Sequence, residues 1–374
     1  MKNILLLIGT IFFRYRHLAA VVSALGMLLA LNRLISGLRS RFIQGLRAII
    51  ASLGSPVNSL LEFFGIVIIY RFEQSVGDHL CMTSIVRAFN EQHDLTCIVL
   101  SPYPELFENN PRIWKTIDAR SLTPRRVGWI RFAFESWDIP RVEEFKFRHA
   151  RMTLEEYMRE SKARMHLAEV NSKHFKIPLV LTDIRTEIFL TSDEIAGWDT
   201  CFDLPERFAL IHSEGKGTYT PNKDWGSDNF QSLIDKMPEV SWVQIGLESD
   251  IKLNGCIDYR GRTPSVRELA YVISKAEFIV CLEGLYNHLA SSVCTTSFVI
   301  FSGFHPPQIA SYENTVPITC DPPPSCAPCW LTVKCPLPEK PCTSRIYPDR
   351  VADMIAKHMY VLRGRGQSPL VFRQ

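Results

Sequence analysis

Beyond residue 60 the chain alternates between two kinds of pattern. Mostly apolar runs at 64–70, 95–100, 208–212, 242–246, 278–282 and 297–301 have the length of buried strands, and 278–282 is apolar without a break. Between them, residues 78–90, 229–236, 268–274, 285–293 and 349–360 read as helices, several with apolar residues three and four apart. Residues 187–191 form a further apolar run that predicts a strand. Residues 152–170 (MTLEEYMRESKARMHLAEV) read as one exposed helix laced with opposite charges at helical spacing. Strands and helices in alternation predict an α/β fold with parallel sheets. Two such series, at 61–200 and 201–374, predict two Rossmann-like domains with a cleft between them and a linker within 197–205.

Residues 1–60 follow a different rule. The runs at 3–13 and 18–31 are apolar, but Arg14, Arg16 and His17 separate them. No small-residue cleavage site stands out before the basic stretch, which argues against a signal peptide. The second run falls short of the roughly 20 residues a spanning helix needs. Residues 32–53 set Leu34, Ile35, Leu38, Phe42, Leu46, Ile49 and Ile50 against Arg33, Arg39, Arg41 and Arg47, as interfacial membrane helices do. The expectation is a helical extension that attaches residues 1–53 to a membrane, lying on it or crossing it once. The denser basic charge after the apolar run then puts the body on the cytoplasmic side of that membrane. An amphipathic helix packed on the body is the alternative.

Composition adds little that is specific. A net charge of +3, with 22% charged residues and no long basic run beyond the first fifty positions, gives no support for nucleic acid as a partner. Eleven cysteines, several of them in or beside apolar runs, suit reduced thiols better than a secreted disulfide framework.

Candidate chemistry lies where strands end. In open α/β sheets, ligands sit beyond the carboxyl ends of strands, and a helix N-terminus there offers free N–H groups to an anion. The turn after 278–282 holds Glu283, Gly284, Asn287 and His288, and so suits a phosphorylated ligand. His288 either bonds a phosphate or locks the turn. After 208–212, the loop 213–218 carries Gly215, Gly217 and Thr218. Its glycines let the backbone approach a ligand, while Lys216 and Lys223 are able to neutralise a diphosphate. Glu248, at the end of 242–246, is placed to accept hydrogen bonds from a ribose diol, and Asp250 would serve as well. The loop after 64–70 lacks the Gly-x-Gly-x-x-Gly fingerprint and ends in Gly77-Asp78, where the aspartate taken alone reads as a helix cap. Arg125, Arg126, Arg131, Arg141, Lys146 and Arg148 either meet an anionic acceptor or form a solvated face.

Several of these segments together resemble glycosyltransferase family 9, the lipopolysaccharide heptosyltransferases. Gly77-Asp78 after the first strand, Glu108-Asn109-Asn110-Pro111, Lys223-Asp224-Trp225 and Glu283-Gly284-Leu285-Tyr286-Asn287-His288-Leu289-Ala290 carry the resemblance, which covers roughly residues 63–355. The family usually has Asp where Glu283 stands and Gly where Leu285 stands. The resemblance implies a GT-B architecture and an inverting, metal-independent transfer without a cofactor. The sugar, heptose-like, would pass from a nucleotide diphosphate sugar such as ADP-heptose to a lipopolysaccharide or other glycan or lipid-linked acceptor. It also implies Asp78 as the base that deprotonates the acceptor, and Lys223, Glu248, Glu283, Gly284, His288, Gly215 and Thr218 as the donor site. Trp225 is expected to pack. The substituted positions keep a second class of function in view, a membrane-attached scaffold protein that has kept the transferase fold without catalysis.

Cys326, Cys329, Cys335 and Cys342 form a Cys-x2-Cys-x5-Cys-x6-Cys array among prolines. On spacing alone this suits either a four-thiolate zinc site or buried, redox-labile thiols. A similar series occurs in some members of the resembled family.

Overall fold

The computed structural model of the protein describes residues 57–137, 140–147, 152–162, 164–215 and 219–364. The expected membrane-attaching segment at 1–53, and Arg148, Lys216 and Thr218, lie outside these residues. Two compact units are present, one of Met1–Leu60 with Pro124–Ile139 and one of Leu61–Thr123 with Pro140–Gln374. Within the first, Pro124–Trp137 is a helix that carries Arg125, Arg126 and Arg131. The second unit contains both sheets and the candidate base and donor-site residues.

The first sheet is parallel, with the order β3-β2-β1-β4, built from β1 (Ile66–Tyr70), β2 (Thr96–Ser101), β3 (Ile113–Asp118) and β4 (Val142–Glu144). Helix α1 (Val76–His93) leads from β1 to β2. It is buried on nearly every face from Gly77 to Phe89, because it packs on the first sheet and also on a helix of the second. Its buried polar side chains are satisfied there: Thr83 and Ser84 bond the carbonyls of Leu80 and Cys81, and Arg87 pairs with Glu187 at 2.9 Å.

The second sheet is also parallel, with the order β10-β9-β8-β5-β6-β7. Its strands are β5 (Ala209–Ile211), β6 (Trp242–Gln244), β7 (Cys256–Asp258), β8 (Phe278–Leu282), β9 (Thr296–Ile300) and β10 (Thr315–Ile318). Successive side chains of β8 point to opposite faces. Phe278, Val280 and Leu282 join a cluster with Phe230, Leu233, Val351 and Ile355 from the helices Ser227–Lys236 and Pro348–Gly364. Ile279 and Cys281 join a second cluster, which runs on without a break to Val67, Ile69 and Val99 of the first sheet. Each fully buried aliphatic or phenyl side chain contributes about 1.5–3 kcal/mol, so this shared core binds the two sheets firmly.

Two expectations fail locally. Residues 152–170 form two short helices, Leu154–Glu160 and Leu167–Ser172, rather than one. Each has its own capping box, Thr153 with Glu156 and His166 with Glu169, so the chain restarts where periodicity alone runs on. Residues 187–191 are extended but pair with no strand. They instead bond side chains: the Glu187 N–H donates to Thr83 Oγ1 at 2.8 Å, and the Phe189 carbonyl accepts from Arg267 Nη2 at 2.7 Å.

Candidate active site

Each sheet reverses strand order once at its centre. In the first, β1 has β2 on one side and β4 on the other; in the second, β5 and β8 are neighbours whose sequence partners lie on opposite sides. Such switch points open a crevice beyond the strand ends. Arg71 and Asp78 follow β1, while His212 follows β5 and Glu283 follows β8. The candidate residues therefore lie at both crevices.

The crevices meet. A Cβ added at Gly77, in the first turn of α1, would stand 2.6 Å from His288 Cδ2. His288 belongs to the helix that follows Glu283 and Gly284, Leu285–Ser292. Only a residue without a side chain lets the two helix starts approach this closely. Asp78 from one sheet is thereby brought to the turn Glu283–His288 from the other.

Lys223 ends a short 3-10 turn, Pro221–Lys223, and its ammonium pairs with the Glu283 carboxylate. The same ammonium lies 5.5 Å from the ring centre of Tyr219 and 5.4 Å from that of Phe304. His305 Nε2 stands 3.6 Å from Glu283, with its ring against Phe304 and Trp330. Burial pushes the Glu283 carboxyl up, but the positive groups His305 and Lys223 outweigh it and bring it down to about 2. Burial lowers His305 itself to about 4, so at neutral pH Lys223 is the cation that holds Glu283 ionised.

The Lys223 loop is held from behind. Thr220 Oγ1 donates to the Leu331 carbonyl at 2.8 Å, and Asn222 Nδ2 donates to the carbonyls of Leu331 and Val333 at 2.6 and 2.7 Å. Asn222 Oδ1 accepts from the Cys335 N–H at 3.0 Å. Trp225 packs as expected, buried against Phe230 with its indole N–H donating to the Ile346 carbonyl at 2.9 Å.

Gly284, at φ 152°, precedes the helix Leu285–Ser292, and nothing lies within 4 Å of where its Cβ would be. Open space in front of a helix N-terminus is what a phosphate needs. Gly215 lies beside Leu282 at the same strand ends. His288 is buried, its Nδ1 hydrogen-bonded to the Tyr312 hydroxyl, and burial lowers its pKa. Asn287 is fully engaged inside the protein, donating to the Ala310 carbonyl and accepting from Ser297 and Thr315. The two acidic residues beyond β6 differ. Asp250 accepts from the Leu247 N–H at 2.8 Å, so its carboxylate closes its own turn, whereas Glu248 is exposed.

Sequence reasoning passed over Arg71, Tyr219, His305 and the stacked pair His212–Tyr286, whose ring centres are 3.7 Å apart. Arg71 alone carried a local signal, as a cation directly at a strand end. The basic residues offered as an acceptor surface divide: Lys146 pairs with Glu73 at 2.8 Å, while Arg125, Arg126 and Arg131 belong to the other compact unit.

All eleven cysteines are free thiols. Cys342 and the Cys326–Cys329 segment gather near Gly303, where a Cβ would meet Cys342 Cβ and Ala327 Cβ at 2.9 Å. Burial raises the Cys329 thiol, with Cys342 and Cys326 adding to the effect. Among the described residues no group of three or more His, Cys, Asp or Glu is placed to hold a metal ion. No helix among them is long and apolar enough to cross a membrane.

No family model matches the chain, and no curated protein sequence matches it. Solved structures do match. Escherichia coli ADP-heptose lipopolysaccharide heptosyltransferase II superimposes with a TM-score of 0.55 at 14% identity, over 79% of this chain and 99% of that one. TibC, an iron-containing dodecameric glycosyltransferase of enterotoxigenic E. coli, gives 0.58 at 15% identity over 79% and 77%. It is also known in complex with ADP-D-beta-D-heptose. A family 9 glycosyl transferase of Veillonella parvula gives 0.50 at 13% identity over 67% and 85%. With its two parallel sheets and their facing switch points, the chain has the GT-B fold of the heptosyltransferases of glycosyltransferase family 9.

Proposed function

We propose that the protein is a glycosyltransferase of the heptosyltransferase type, moving a sugar from a nucleotide diphosphate sugar to a lipopolysaccharide or related cell-surface glycan. The observation that carries this reading is the contact of Gly77 with His288, which sets Asp78 and the Lys223–Glu283 pair around one crevice. ADP-heptose is the donor favoured by the structural neighbours, one of which binds it.

The reaction is an inverting displacement. Asp78 takes the acceptor proton as the hydroxyl oxygen attacks the anomeric carbon, and the bond to the diphosphate breaks on the opposite side. The charge on the departing diphosphate is met by Lys223 and by the free N–H groups after Gly284, which do what a metal ion does in other transferases. Before the donor enters, Glu283 occupies Lys223; the diphosphate takes over that cation, and Glu283 turns to the sugar hydroxyls. Glu248 and Gly215, which follow neighbouring strands of the second sheet, would take the nucleoside and the diphosphate. His288 keeps the turn in place through Tyr312. Attachment through residues 1–53 to the cytoplasmic face of the inner membrane would bring the crevice to a lipid-linked acceptor. This rests on the basic amphipathic pattern of 32–53.

The test is a thermal-shift series with ADP-, GDP-, UDP- and CDP-sugars, followed by turnover with the sugar that binds. Stabilisation by ADP-heptose, lost in Lys223→Ala, and transfer lost in Asp78→Asn would support the reading. Donor binding without any transfer would favour the scaffold alternative instead.

A further inference from the structure

Arg71 is the first residue beyond β1, at the point where the first sheet reverses its order. Its side chain is only 10% exposed, and its guanidinium is tied on two sides. Nη1 donates to the Phe145 carbonyl at 2.9 Å, and Nη2 donates to Asp78 Oδ2. Phe145 follows β4, is anchored by its own N–H donating to the Tyr70 carbonyl at 2.9 Å, and sets its ring centre 6.0 Å from the guanidinium carbon. Arg71 is therefore a strut between the ends of two strands and the first turn of α1.

A buried ion pair contributes little to stability over an apolar pair of the same shape, so the fold alone gives no reason for this one. Its effect on Asp78 is geometric. Asp78 stands at the third position of α1, and the N-cap Ser75 makes no side-chain bond to the helix. An unrestrained carboxylate there turns back onto the open N–H groups of its own helix. Among the described residues Arg71 is the sole bonded partner of Asp78, and it takes Oδ2, leaving Oδ1 free.

We infer that Arg71 is the positioning residue of the transfer reaction: by holding Oδ2 it keeps Oδ1 of Asp78 at the acceptor hydroxyl. The acceptor oxygen forms its bond to the anomeric carbon, the bonding pair leaves with the diphosphate, and the hydroxyl proton ends on Oδ1. Arg71 neither gives nor takes a proton. The inference rests on the reading of Asp78 as the base.

The experiment measures ADP release from ADP-heptose by the full chain, with heptose-free lipopolysaccharide as acceptor, in wild type, Arg71→Met, Arg71→Lys, Asp78→Asn and the Arg71→Met/Asp78→Asn double variant. A misplaced base costs about 100-fold, so Arg71→Met is expected to lower kcat by about that factor with KM for ADP-heptose unchanged. Lysine restores the charge without the planar fork and recovers part of the loss. The double variant is expected to be no slower than Asp78→Asn alone, since a strut is worthless without its load. If the methionine variant does not fold, Arg71→Gln replaces it. An unchanged kcat in a folded Arg71 variant, a raised KM at constant kcat, or losses that multiply in the double variant would overturn the inference while leaving the base intact. An active Asp78→Asn protein overturns the base and this inference together, and a wild-type chain that releases no ADP overturns the proposed function as well.

Discussion

At the scale of single residues, Asp78 and Gly77 make separable demands. Asp78→Asn removes the proton acceptor while keeping shape, and general base catalysis is worth about 10²–10⁴-fold, so transfer should fall by that range with unchanged circular dichroism. Gly77→Ala places a methyl group 2.6 Å from His288 Cδ2, and overpacking of this kind costs about 1–3 kcal/mol. Urea unfolding should show that loss, and activity should fall with it because the two helix starts are pushed apart. That Asp78, Lys223 and Glu283 gather at one crevice was legible in the sequence because each lies in the loop or helix start that follows a strand, in a motif of mixed residue types. Arg71 and His305 were not, because what distinguishes them is the partner each meets across the fold.

At the scale of elements, the strands that were read correctly are those buried on both faces. β8 shows it best: its five residues are all buried, and its continuity in sequence is a direct image of that. The missed strands lack this imprint. β3 exposes Trp114, Lys115, Ile117 and Asp118, and β4 and β7 are three residues long, so pairing rather than composition defines them. The split of 152–170 has the same cause, since its break lies in local caps that an apolar period does not register. A capping residue there has measurable weight: Thr153→Ala should destabilise the first of the two short helices by about 1 kcal/mol, read as faster amide exchange over 154–160.

At the scale of the whole molecule, the core shared by both sheets has a thermodynamic signature. Residues from β1 to the C-terminal helix should unfold in one calorimetric transition, and two separated transitions would refute a shared core. Acid should weaken the fold before base does. Burial lowers His79 and His305 to about 4 and His166 and His212 to about 3, from 6.5. Below pH 6.5 the unfolded chain takes up protons at these sites that the folded chain refuses, so their stabilisation is lost as pH falls from 6.5 toward 4. Each site contributes up to about 1.4 kcal/mol per pH unit. Glu143 works in the opposite sense between 4.5 and about 7, because burial raises it, but one carboxyl does not offset four imidazoles. Denaturation midpoints followed from pH 7 to pH 4.5 should therefore decline.

The hydrogen bonds that Thr220 and Asn222 donate to Leu331 and Val333, and the one Asn222 accepts from Cys335, turn the cysteine-bearing tail into a bracket for the donor loop. A bracket transmits its own looseness. Oxidation or deletion in the tail would slacken Lys223 and so weaken nucleotide-sugar binding. Asn222→Ala, which removes the bonds to Leu331, Val333 and Cys335 and loosens the Lys223 loop, should raise the dissociation constant for the donor. Chemical damage that begins far from the reacting sugar would thus first be felt as lost affinity.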